Sequence, residues 1–357
     1  MKQRLYIFSD TILQRKLNTL YFQTVIRDEE DEFYDEYENE NEYFLAKEIN
    51  IPSGDKKYIP VENVESIFAI GSVSFNSRFL YFLSQNQIPL HLINYRGNYA
   101  GSFVTAKRPY SGSILIKQVE HFNDSKKRLY IAQEFVDAAA HNTLANLKYH
   151  FNRGAAVVDY MEYIEELKKE IPNTQNINEL MGIEGSIKKA YYDSWKEIFH
   201  YPVEFTKRIK NPPPDMINSL ISYGNAIVYS ICINEIFHTR LNAEIGFLHQ
   251  PADAKLSLAF DIADIFKPIF TDRAIFKVIN KNILSEKDFT VRNGFCRIKK
   301  DAKKKFSYEF EKRLIAKFSN RENGKRYSYK SLVRKECFNL INHINDEKIY
   351  KAYRSKW

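Results

Sequence analysis

The spacing of apolar residues changes once along this chain, and that change restricts the fold more than any single motif. Up to about Val104, apolar and polar residues alternate in short runs, the period of half-buried strands. After the breaker-rich segment Lys107-Arg-Pro-Tyr-Ser-Gly-Ser113, apolar residues recur at helical spacing for nearly all of the remaining chain. The reading is an α+β protein: an N-terminal β-rich domain over residues 1–105, a linker over 106–113, and a larger, mainly α-helical catalytic domain over 114–357. A chain of 357 residues that is 44% hydrophobic and 15% aromatic has enough apolar mass for more than one core.

In the first part, Arg4–Val25 and Ile59–Gly71 read as strands, and Ser74 or Asn76 caps a short helix carrying Phe79, Phe82 and Leu83. Ile88–Val104 reads as a hairpin around Tyr95-Arg-Gly97-Asn98. The acidic segment Arg27–Phe44 reads as a solvated loop or an edge hairpin. In the second part, helices are expected at Ile114–Phe122, Ser125–Phe151, Ala155–Glu170, Asn176–Phe199, Asp215–Thr239, Ala254–Lys267, Asp272–Asn280, Asp301–Phe318 and Tyr329–Ile344. Asn293-Gly294 marks a small hairpin.

Charge and cysteine usage narrow the function. Fifty-three Lys+Arg against 45 Asp+Glu give a net charge of +8, which favours a polyanionic partner but does not separate DNA, RNA and membrane. The N-terminus lacks the apolar core of a secretion signal, and no later apolar run reads as long enough to span a bilayer, so a soluble cytoplasmic protein with no membrane partner is expected. Cys232, Cys296 and Cys337 form no CxxC pair, which argues against a disulfide framework or a zinc or iron–sulfur cluster.

Three segments stand out as carriers of chemistry. In the helix around NINELMGIEGSIKKAYYDSW, an apolar stripe of Ile177, Leu180, Met181, Ile187 and Tyr191 also contains Glu184, and a carboxylate there is costly unless paired. Gly182 and Gly185 on either side would let another backbone or a ligand approach closely. His249 sits in a non-helical stretch after Gly246-Phe-Leu, placed to present its imidazole to a cleft. In SLAFDIADIFKP, Asp261 and Asp264 fall at i, i+3 opposite an apolar face of Ala259, Ile262, Ala263 and Phe266, and two such charges repel unless a cation or a base sits between them. Each has a bland reading by itself: a buried Glu bonded to an Arg or a helix end, a surface His, a solvated acidic pair. Together they supply oxygen and imidazole ligands suited to Mg²⁺ or Mn²⁺ and to phosphodiester chemistry. Arg208, Lys255, Lys267 and Arg273 nearby are candidates for phosphate contacts, and a basic stretch from Lys299 to Lys335 is either a DNA-tracking surface or a charged helix face.

MGIEG at 181–185, KRIKNPPPDMINSLISYG at 207–224 and AEIGFLHQPADAKLSLAFDIADIFKPIFTDR at 243–273 resemble the CRISPR adaptation integrase family, the larger protein of the spacer-acquisition complex. The run ending in NYRGNYAG also resembles that family's β domain. The resemblance implies homodimers bridged by a small adaptation partner protein, and metal-dependent joining of short DNA into a repeat array, on double-stranded and branched DNA at repeat ends. It also implies that Glu184, His249 and Asp264 are the catalytic metal ligands and that Asp261 is the accompanying acid. Two readings stay open beside it: a structure-selective metal-dependent nuclease acting on branched DNA or RNA, and a non-catalytic basic scaffold.

Overall fold

The computed structural model of the chain describes residues 2–25, 56–94, 99–104, 111–200, 203–210, 212–251, 256–319, 326–346 and 348–356. They fall into two compact units, Met1–Lys107 and Arg108–Trp357. The acidic segment Arg27–Phe44, the turn Tyr95–Asn98 and most of the expected linker lie outside the described residues.

Among the described residues, the first unit contains two four-stranded sheets. Strands β1 (Gln3–Ile7), β5 (Val64–Ala69) and β7 (Leu90–Ile93) run parallel, and β8 (Tyr99–Phe103) closes that sheet antiparallel to β7. In the other sheet β2 (Thr11–Lys16), β3 (Thr19–Thr24) and β4 (Lys56–Pro60) form an antiparallel meander, and β6 (Val73–Phe75) lies parallel to β2. Strand β5 is buried continuously from Ser66 to Ala69, as expected of a strand with a parallel neighbour on each side and both faces covered. Helix α1 (Ser77–Gln85) begins where Asn76 Oδ1 accepts from Phe79 N at 3.0 Å, and it sinks Phe79, Phe82 and Leu83 into the core.

The second unit is helical: α2 (Gly112–Asn123), α3 (Ser125–Phe151), α4 (Val158–Glu170), α5 (Ile177–Asp193), α6 (Met216–Phe237), α7 (Ser257–Lys267), α8 (Arg273–Asn280), α9 (Lys300–Ile315) and α10 (Tyr329–Ile344). Ser111, Asp124, Asn176, Asp215 and Ser328 accept hydrogen bonds from first-turn N–H groups, which explains where five of them start. Helix α6, contrary to expectation, is long and apolar enough to cross a membrane, yet 89% of its apolar window is buried inside the protein, where it packs on α7. Leu258, Ile262, Ile265 and Phe266 of α7 have no exposed surface, each burial contributing roughly 1.5–3 kcal/mol.

Several boundaries depart from expectation; the helix expected over Asn176–Phe199 ends at Asp193 and tightens into a 3-10 turn over Ser194–Glu197. Between α7 and α8, Pro268–Asp272 winds as a π-helical turn, which rotates Asp272 inward. A Cβ on Gly224 of α6 would lie 2.6 Å from Thr271 Cγ2, so only glycine lets that turn settle on α6. The helix expected over Asp301–Phe318 ends at Ile315, because Lys317–Ser319 (β11) pairs antiparallel with Arg326–Ser328 (β12) and Phe318 packs on Tyr327 and Tyr329. Strands β9 (Phe289–Arg292) and β10 (Phe295–Ile298) form the expected hairpin, with Asn293 and Gly294 at φ 49° and 73° as a type I′ turn requires.

Candidate active site

Helix α5 starts at Asn176, whose Oδ1 accepts from Glu179 N while Glu179 Oε2 accepts from Gln175 N. Three turns of the helix then bury Leu180, Ile187 and Tyr191 on one face and carry Glu184 on it; Met181, expected there too, is 42% exposed. A Cβ on Gly182 or Gly185 would meet nothing within 4 Å, so these glycines bring no neighbour close and instead leave the flanks of Glu184 open.

Helix α7 faces this surface with Asp264. A cleft lined by Glu184, Lys188, Tyr191, Asp264, Lys267 and Asp272 lies among α3, α5 and α7. Lys188 Nζ, one turn beyond Glu184, donates to Asp264 Oδ2 at 3.0 Å and also pairs with Glu184 Oε1; Lys267 pairs with Asp264 Oδ1. Glu184 Oε1 is closed off from solvent and meets no donor besides that ammonium among the described residues. Burial by itself would raise the Asp264 carboxyl, but Lys188, Lys267 and His249 outweigh it and hold the group far below the usual carboxylate range. Burial would likewise lower the Lys188 ammonium, and Asp264 and Glu184 reverse that, holding it protonated. Deeper in the cleft, burial pushes the Asp272 carboxyl up to about 7 against the Tyr191 hydroxyl.

His249 is delivered by the loop that follows α6. Gln118 of α2 donates to Asn242 O and Ile245 O and accepts from Asn242 N, Ser257 Oγ bridges Gly246 N and Glu244 O, and Arg128 Nε donates to Phe247 O at 2.8 Å. The keystone is Asp261, fully buried, which accepts from the N–H groups of Phe247, Leu248 and His249 at 2.6, 3.1 and 3.0 Å. A Cβ on Gly246 would stand 2.8 Å from Asp261 Oδ2, so the glycine is what lets the carboxylate reach the loop. Asp261 Oδ1 also lies 2.7 Å from His249 Nδ1. A carboxylate accepts, so Nδ1 is the donor and Nε2 is left for a ligand. Burial would lower the His249 pKa, and Asp261 outweighs it, with the net shift upward.

The expectation that Asp261 and Asp264 stand together opposite an apolar face is therefore corrected: on a helix buried on nearly every side, Asp261 turns to the His249 loop and Asp264 to the cleft. Glu184 and Asp264 meet through Lys188, and His249 is within electrostatic reach of Asp264. Among the described residues no three His, Cys, Asp or Glu side chains converge at metal-ligand distance. The donor set still fits a divalent cation: two carboxylates already converge on one positive charge, and an imidazole nitrogen is held ready by its partner.

The phosphate candidates fare differently. Arg208 is turned inward, its guanidinium donating to Ile209 O, to the Asn218 carbonyl and Oδ1, and to Ser222 Oγ, so it braces the start of α6. Lys267 is committed to Asp264, and Arg273 Nε donates to Asn146 Oδ1 at 2.7 Å. Lys255 lies outside the described residues. Lys210 stands near Lys188, Lys267 and Asp264, its ammonium lowered by burial and then by the two lysines. In the basic C-terminal stretch, Lys304, Lys305 and Lys312 pair with Asp301, Asp288 and Glu309. Sequence reasoning passed over Lys188 although its i+4 spacing from Glu184 was visible; Gln118, Arg128 and Asp272 left no local signal.

Comparison with known proteins gives a consistent answer. Residues 5–312 match the family described as CRISPR associated protein Cas1. A CRISPR-associated endonuclease Cas1 of Fusobacterium nucleatum is 39% identical over 357 residues, covering 100% of this chain and 98% of the relative. The solved structure of a CAS1 protein from Thermotoga maritima superposes with a TM-score of 0.80 at 31% identity, over 99% of this chain and 100% of that one. A casposase bound to integration product shares the fold, with a TM-score of 0.83 at 20% identity over 99% of this chain and 93% of that one.

Proposed function

The chain belongs to the Cas1 family of CRISPR-associated proteins, and from that premise we propose that it is the metal-dependent endonuclease and integrase of spacer acquisition, with Glu184, His249 and Asp264 at its catalytic centre. Within the same proposal it works as a homodimer with a small adaptation partner protein, on double-stranded and branched DNA. The observation that carries the site assignment is the convergence of the Glu184 and Asp264 carboxylates on one cation beside a carboxylate-anchored histidine.

The reaction proposed is transesterification. The 3′-hydroxyl oxygen of a short DNA bonds to a phosphorus at the repeat edge, the phosphorus–oxygen bond of the repeat strand breaks, and the released 3′-oxygen takes up a proton. Mg²⁺ or Mn²⁺ held by Glu184, His249 Nε2 and Asp264 would polarise the phosphodiester and stabilise charge on the attacking and leaving oxygens. Asp261 keeps the His249 proton on Nδ1, so that Nε2 presents a lone pair. Asp264 enters ionised at any working pH because its ammonium partners hold it so. Lys210, which stands near Lys188 and Lys267, adds positive charge beside the cleft against which a phosphate backbone can lie.

The test is strand transfer by the purified protein, with its partner present, on a branched repeat-end DNA in Mg²⁺, Mn²⁺ or EDTA. Joined product that needs metal and disappears in Glu184→Gln is the expected result. Joining that survives Glu184→Gln would sink the site assignment, and cutting without joining would favour the structure-selective nuclease.

A further inference from the structure

We propose that Lys188 is the built-in counter-ion of this cleft: its ammonium occupies the carboxylate oxygens that a divalent cation would use, and it must leave when that cation binds. The inference rests on the metal-site reading above and concerns a residue that is not one of its ligands. Three observations lead to it.

The first is position. Lys188 Nζ contacts Glu184 Oε1 and lies 3.0 Å from Asp264 Oδ2, bridging two helices, whereas Lys267 takes the other oxygen of Asp264 from its own helix. The second is charge. Glu184 and Asp264 contribute two negative charges and Lys188 and Lys267 two positive ones, so the four groups are neutral together. Adding a divalent cation beside both ammoniums would bury excess positive charge, which a site of low polarisability resists. The third is an exit. Although its ammonium is sunk between the two carboxylates, the Lys188 side chain is 41% exposed along its flexible four-carbon stem, so a change of rotamer carries the ammonium to solvent without moving the backbone. Asp264, at 6%, cannot follow it. Lys188 therefore holds the Glu184 and Asp264 carboxylates close together before metal arrives, and its departing charge becomes available to a phosphate oxygen at the cleft mouth.

A purely structural tie predicts the opposite sign for metal binding. If Lys188 merely held Glu184 in place, removing it would loosen the ligand set and weaken affinity; as a competitor, its removal strengthens affinity. The probe is Mn²⁺ alone, titrated against the full chain with free Mn²⁺ read by electron paramagnetic resonance, in wild type, Lys188→Gln, Lys188→Met, Lys188→Arg and Glu184→Gln. The expected result is Mn²⁺ bound about tenfold more tightly by Lys188→Gln and Lys188→Met, both melting below wild type without metal, and no tightening in the charge-keeping Lys188→Arg. Lys188→Gln keeps a hydrogen-bond donor without the charge, and so serves if the Met variant does not fold. Unchanged or weaker affinity in a folded neutral variant, with wild-type binding lost in Glu184→Gln, overturns the role of Lys188 and leaves the metal site standing. Wild-type protein that binds no Mn²⁺, or binds it regardless of Glu184→Gln, overturns both.

Discussion

Two buried carboxyl groups in the helical unit meet the same desolvation problem in opposite ways. Asp264 is kept ionised by two lysine ammoniums that reach it from the cleft. Glu336 of α10, 1% exposed, accepts from the Tyr350 hydroxyl and from Tyr353 N at 3.1 Å, and burial pushes it up to about 7. Around it the C-terminal strand of chain is strapped down: Lys351 and Arg354 pair with Glu134, Arg354 also pairs with Asp137, and Ser355 N donates to Asn142 Oδ1. The lesson is that the kind of partner decides the use. A carboxylate neutralised by cations on flexible stems can exchange one cation for another; a carboxyl satisfied by a phenol and a backbone N–H is a joint that holds the fold.

The sharpest way to break this comparison is to neutralise each acid in turn. Asp264→Asn should lower strand joining by about a thousandfold, whereas Glu336→Gln should leave it within about twofold, both read as initial rates. Equal losses would dissolve the distinction. Next comes pH. The folded Glu336 pKa of about 7 stands above the ordinary 4.5, so its contribution to stability is fully present below about 4.5 and is lost as pH rises through about 7. Wild type should therefore lose up to about 3 kcal/mol between those limits, and Glu336→Gln should flatten the profile, melting higher than wild type at pH 8 and about equally at pH 4.5. A parallel pair of denaturation profiles would contradict this.

Smaller effects test the loop and the rim. Asp261→Asn leaves three N–H groups and His249 Nδ1 with a poorer acceptor, so Mn²⁺ affinity should fall about 10–100-fold while the cleft acids stay paired. The smallest difference is between two surface cations. Lys210→Ala beside the cleft should weaken DNA binding about equally across sequences and reduce its salt slope by about 1, and Lys351→Ala at the C-terminal strap should leave the slope alone.

Much of the fold was readable because its signals are local. The change from period 2 to period 3.6 separated the strand-rich and helical parts, Asn76 and Asp215 marked helix starts, and Asn293-Gly294 marked a hairpin. The errors fell where a distant partner overrode a local pattern: the helix ending at Ile315 yields to the pairing of β11 with β12, and the π turn at Pro268–Asp272 reflects packing on Gly224. The same holds for the site. Glu184 could be found from the cost of a carboxylate on an apolar stripe, but the roles of Asp261 and Arg208 could not, since each depends on what lies across the fold.

By itself, then, the sequence determined the order and type of most elements, the candidate acid–histidine–acid set proposed for the site and the family to which the chain belongs, because periodicity, capping and motif are properties of neighbouring residues. Only the tertiary structure decided that Asp261 and Asp264, three residues apart on α7, serve different masters, that Lys188 stands between Glu184 and Asp264, and that Arg208 is a brace. The physical reason is that burial and charge pairing are set by groups brought together from α2, α5, α6 and α7, across separations of up to 127 residues along the chain.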